Sequence, residues 1–145
     1  MKKKILIILV VLFAAIQFFR IDRINPKVDP QKDFFTISNP PEEIRTIFKN
    51  SCYDCHSNQT IYPWYSNIAP VSWMLKSHIN KGRENMNFSE WGDYSPDEQK
   101  DILETCQEKI KADEMPLSSY TLIHSNAKFD EKKKALLFDW LKKQL

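Results

Sequence analysis

Cys52, Tyr53, Asp54, Cys55 and His56 form a CxxCH pentapeptide, the attachment sequence for c-type haem. Each thiol can add to a haem vinyl group, and the His that follows is then held under the ring to ligate the iron. The chain is therefore expected to fold about one covalently attached haem c. Other uses of the same residues account for less of the sequence. A thioredoxin-like dithiol sits at the mouth of a βαβ unit, whereas no strand pattern precedes Cys52 and no parallel-sheet rhythm occurs anywhere. Structural zinc needs a fourth ligand, and a second CxxC or an HxxxH pair at finger spacing is missing. A Cys52–Cys55 disulfide is open to an exported chain, but it leaves His56 unexplained.

Lys2, Lys3 and Lys4 precede an apolar run from Ile5 to Phe19, broken only by Gln17, and Arg20, Asp22 and Arg23 end it. As a helix the run would be about 22 Å long against a hydrocarbon core of roughly 30 Å, so length alone does not separate a signal peptide from an anchor. Cleavage chemistry favours the anchor, because Ala14 and Ala15 are adjacent and the residues after them are bulky where a signal peptidase wants small ones. The run is apolar all round. Residues 1–21 are thus expected to be a signal anchor, a transmembrane helix that attaches the protein to the membrane. Its lysines stay cytoplasmic, and the domain lies on the periplasmic or exported side, where c-type haem is attached.

With 21 basic and 19 acidic residues the net charge is +2, too weak a field to argue for nucleic acid as a partner. Of three cysteines, Cys106 is left over. It shares helical spacing with Ile102, Leu103 and Ile110, which reads as a small buried hydrophobe.

Residues 22–40 are polar, with Pro26, Pro30 and no sustained apolar period, and read as a tether on which Phe34 and Phe35 stand out. Residues 41–145 form the expected domain, mainly α, with about four helices. Asn39 and Pro40 can open the first, with Glu42 and Glu43 near its positive end and Ile44, Ile47 and Phe48 on one face that runs into Cys52. The second starts at Pro70 and ends near Gly82, with Val71, Met74, Leu75, His78 and Ile79 as its stripe. A capping box from Ser95 to Glu98 opens the third, which turns Ile102, Leu103, Cys106 and Ile110 inward. The last begins near Asp130 and carries Leu137, Trp140, Leu141 and Leu145 on its core face. Between them, residues 57–69 and 83–94 are long loops rich in Tyr62, Trp64, Tyr65, Phe88, Trp91 and Tyr94. They either wrap the haem or form an ordinary aromatic core.

With His56 as proximal iron ligand, the sixth position decides the chemistry. Met115 is the first candidate as distal ligand: it follows the third helix, is held by Pro116, and offers a soft thioether. His78 is the alternative distal ligand, although a His on an apolar stripe is often only a packed core residue. His124 lies beside Ser125 and Asn126 and reads as surface, and Met74 and Met86 are weaker candidates.

An N-terminal helix entering CxxCH, a Met-Pro loop and a C-terminal helix with Trp140 make the chain look like a small monohaem c-type cytochrome of the His/Met class. More closely, CYDCHSNQTIYPWYSNIAPVSWML, HINKGRENMNFSEW and EMPLSSY resemble the bacterial haem-binding domain family of small exported, cytochrome-c-like proteins, over residues 41–145. The resemblance implies a cytochrome-c-like fold, thioether links at Cys52 and Cys55, proximal ligation by His56 and distal ligation by Met115. It keeps His78 as a ligand or as a partner for a haem propionate.

Three functions follow from the state of the sixth site. A six-coordinate iron makes a one-electron carrier working with redox partner proteins, not an enzyme. An open or displaceable site makes a haem-based sensor or ligand-binding module. Peroxidase chemistry would use Arg83 or His78 on the distal side, but the second CxxCH of the di-haem peroxidases is missing.

Overall fold

The computed structural model describes residues 1–144, so the expected core position of Leu145 lies outside the described residues. The described chain is mainly helical, with no strand among those residues. Helix α1 (Lys2–Ile16) has 15 residues. It is followed by a single tight turn in which Gln17, Phe18 and Phe19 donate back to Ala14, Ala15 and Ile16. Among the described residues no helix is long and apolar enough to cross a membrane. The expected transmembrane helix is thereby corrected to a shorter apolar one, because the chain leaves the helix where the Gln17 side chain turns aside to Ala69.

The expected tether contributes to the core. Helix α2 (Phe34–Ser38) opens on Asp33, whose carboxylate accepts the Phe35 N–H at 2.9 Å. Phe34 is fully buried, its ring centroid 4.9 Å from those of Phe48, Phe88 and Trp91. Burying one such ring stabilises the fold by about 1.5–3 kcal/mol. Asn39, expected to open the next helix, instead closes α2 in the left-handed conformation with φ 40°, a C-terminal role usually filled by Gly and sometimes by Asn.

Helix α3 (Glu42–Phe48) starts after Pro41 and buries Ile44, Ile47 and Phe48. It runs on through one wide π turn (Lys49–Tyr53) into the short helix α4 (Asp54–His56), so the CxxCH segment lies at the end of a continuous helical rod. Such wide turns concentrate at functional sites because they re-aim side chains by one position. Helix α5 (Val71–Asn85) runs a turn past its expected stop at Gly82. Helix α6 (Pro96–Lys111) has the expected capping box, the Ser95 N–H donating to Glu98 Oε2 at 2.7 Å. After the short α7 (Ser118–Thr121), helix α8 (Glu131–Leu141) buries Leu137 and Leu141.

The loop aromatics resolve into a core. Phe88 and Trp91 are buried and pack with Phe34, Tyr94 closes on Trp91, and Trp64 is exposed. Tyr65 alone among the six expected aromatics faces the cleft described next.

Candidate functional site

The five residues of the CxxCH segment point in different directions because they occupy little more than one helical turn. Tyr53 is clamped in the aromatic core: its ring lies parallel to Phe35 at 4.2 Å and to Phe88 at 5.2 Å, and its hydroxyl donates to Asp33 at 3.1 Å. Asp54 faces the opposite loop and accepts from the Tyr120 hydroxyl at 2.7 Å and the Ile61 N–H at 2.9 Å. Asp54 also lines a cleft, together with the remaining three residues. Cys52 borders a cavity of about 850 Å³, Cys55 a neighbouring one of about 280 Å³, and His56 borders both.

Gly82 explains how α4 and α5 meet. A Cβ there would lie 2.5 Å from the Cys55 carbonyl oxygen and 3.2 Å from the Cys55 Cβ, so this glycine is a close-approach position and not a helix stop. The approach brings the Gly82 carbonyl to 2.9 Å from His56 Nδ1. A carbonyl only accepts, so Nδ1 carries the proton and Nε2 is left with its lone pair, the tautomer a metal-ligating imidazole needs. The Met86 carbonyl is the second neighbour of Nδ1 at 3.4 Å. Burial lowers the His56 pKa, against the raising effect of these two carbonyls, which keeps the ring neutral. Gly82→Ala should destabilise, because the overlap with backbone that cannot rotate away costs about 1–3 kcal/mol against a helix-propensity gain of about 1 kcal/mol. Thermal melting should show a loss of several degrees, and a stabilised variant would contradict this account of α4–α5 packing.

The thiols are protonated and unpaired. Burial pushes Cys55 up to about 11 and raises Cys52 further, and no disulfide joins them. Cys106, expected to be buried, is partly buried against the core, and its thiol is pushed up to about 12 by desolvation. It also borders the larger cavity, 3.8 Å from the Met86 sulfur.

Met115 lines both cavities together with His56. Its loop is braced on both sides. The Met115 N–H donates to Lys109 O at the end of α6. Beyond it, Tyr120 reaches Asp54, Ser51 donates to Ala127 O at 3.0 Å, and Asn126 meets Asn50. His78 borders only the smaller cavity, as does Met74, and Met86 only the larger. His124 lies away from both: its Nε2 is hydrogen-bonded to Tyr65 at 2.8 Å and its ring stacks on Tyr120. Arg83, considered as a distal acid–base group, is occupied elsewhere, donating to Ser57 O at 2.8 Å, Thr60 Oγ1 at 2.9 Å and Asn25 Oδ1 at 3.0 Å.

Gly82, Tyr53, Asp54 and Tyr120 are the supporting residues that sequence reasoning missed. The rarity of glycine, with two in the chain, was the one available signal, since an isolated helical Gly usually has a packing reason. Nothing local connects Asp54 with Tyr120.

Two thiols, a neutral imidazole and a thioether thus border one largely apolar cleft of ligand-holding size, a donor set that fits haem iron. The arrangement defines a helical haem-binding protein. The chain belongs to the haem-binding domain family, whose model matches residues 11–143. That span includes the segment carrying Phe34 and Phe35 as well as the CxxCH domain. Neither the curated proteins nor the solved structures contain a match to it.

Proposed function

We propose that this protein is a c-type haem protein, anchored to the membrane by α1, that carries single electrons on the exported side. The observation that carries the reading is the pairing of His56 and Met115 along one cleft, with His56 Nδ1 held by Gly82 O so that Nε2 is free to bind iron. Haem supplies the one-electron Fe(III)/Fe(II) couple when bound. Cys52 and Cys55 would hold the group by thioether bonds, His56 and Met115 would supply its iron ligands, and the apolar walls would exclude water. A thioether ligand favours ferrous iron and a higher potential than a second imidazole would. Two strong ligands leave no vacant position, which suits transfer of electrons rather than catalysis or gas binding.

Attachment to the membrane is supported by α1 itself, whose apolar side chains from Ile5 to Phe13 are exposed all round, although the helix is shorter than a full span. Unidentified redox proteins are the partners.

Absorption spectra of the purified oxidised and reduced protein test the proposal. The oxidised form should show the weak methionine-to-iron band in the near infrared, and the reduced form should bind carbon monoxide slowly. Rapid carbon monoxide binding by wild type would replace the carrier reading with that of a haem-based sensor having a displaceable sixth site.

A further inference from the structure

We propose that the domain is not loosely tethered but seated on the lipid surface, with Trp73, Phe18 and Phe19 in the headgroup–acyl boundary. The proposal rests on the reading of α1 as a membrane anchor. Three residues after α1 leave the chain no slack. Gln17, the one polar residue of the apolar run, accepts the Ala69 N–H at 3.0 Å and donates to the Ala69 carbonyl at 3.0 Å, satisfying both backbone groups of a buried residue. Two residues on, the Phe19 carbonyl accepts from the Trp73 indole at 2.7 Å. The chain then continues along the domain, Asn25 donating to Thr60 O at 2.9 Å. A helix bonded in this way to the start of α5 sets the orientation of the domain behind it.

The surface at this elbow has the composition of a membrane interface. Phe18 is 88% exposed, Phe19 69% and Trp73 39%, while Arg20 and Arg23 lie beside them against residues 66–72. Trp collects at the headgroup level, Phe rings bury at the headgroup–acyl boundary beneath it, and the two cations complement anionic headgroups. The patch is continuous with α1, which is itself apolar on every side. Length adds a third argument. A helix of 15 residues covers about 22 Å against roughly 30 Å of hydrocarbon, and a short anchor draws its flanking residues into the interface.

The test uses the full-length, haem-loaded protein in its reduced, diamagnetic form. It is labelled with fluorotryptophan and placed in vesicles of phosphatidylethanolamine and phosphatidylglycerol containing a nitroxide-headgroup lipid. The four tryptophans give four fluorine resonances, with Trp73 assigned by Trp73→Phe. The Trp73 resonance should broaden several-fold more than that of buried Trp91, and Gln17→Leu, which keeps the run apolar but removes the elbow bonds, should reduce the difference while the protein still floats with the vesicles. Equal broadening of Trp73 and Trp91 in floating protein overturns the seated orientation and leaves the anchor standing. Failure to float sinks the anchor reading itself. A Trp73 resonance that is shielded from the nitroxide and shifts with the protein-to-lipid ratio assigns the face to a second copy of the chain and overturns the proposal.

Discussion

Replacing both Cys52 and Cys55 with alanine should abolish the haem stain that otherwise survives acid acetone extraction and denaturing electrophoresis. The expectation is all-or-none, because each thiol can hold the group independently: Cys52 borders the larger cavity, Cys55 the smaller, and His56 borders both. Either single variant should keep the stain through its one remaining thioether. The double variant should still fold, since both side chains are small, border a cleft and make no disulfide. Its Tyr53, Asp54 and His56 neighbours retain their own partners. Native haem binding through the iron ligands would then survive while the denaturation-resistant fraction disappears. Full persistence of the stain in the double variant would remove the covalent reading, and absence of stain from wild type would do the same.

The residues that carry chemistry were legible because their information is local. CxxCH is contiguous, the capping box spans four residues, and the stripes of α5 and α6 repeat within a few turns. The supports were not, because each depends on which distant segment arrives. Phe34 and Phe35 form a single apolar pair in a polar stretch, and the arrival of Phe48, Phe88 and Trp91 around Phe34 and of Tyr53 on Phe35 makes them core. Asn39 has a side chain that serves either end of a helix, and the early start of α2 decided between them. Gly82 was misread as a stop for the same reason: glycine ends helices often, and only the approach of Cys55 shows that its missing Cβ matters. The loop aromatics were open between core and cofactor, and packing against α2 places Phe88, Trp91 and Tyr94 with the core while Tyr65 faces the cleft. The Asp54–Tyr120 bond joins residues 66 apart in the chain, a separation over which no motif carries information.

That bond bears on the second large effect. Met115→Ala should abolish the methionine-to-iron band and let the ferrous protein bind carbon monoxide readily. It should also lower the reduction potential by a sizeable part of the roughly 0.8 V range that axial ligands cover. The change can be read without confusion from unfolding. Met115 is 37% exposed and borders an open cleft, so beyond the lost iron bond its truncation leaves no sealed cavity and should cost about 1 kcal/mol or less, below the range of about 2–5 kcal/mol for a buried Met. The loop around it keeps its own bracing through Lys109, Tyr120 and Ala127. His78→Ala is the control that separates the two candidate ligands, since His78 borders only the smaller cavity whereas Met115 lines both with His56. It should leave the band in place and carbon monoxide binding slow. An unchanged spectrum in Met115→Ala, together with an iron opened to carbon monoxide in His78→Ala, would transfer the sixth position to His78 and make the centre a bis-imidazole one of lower potential.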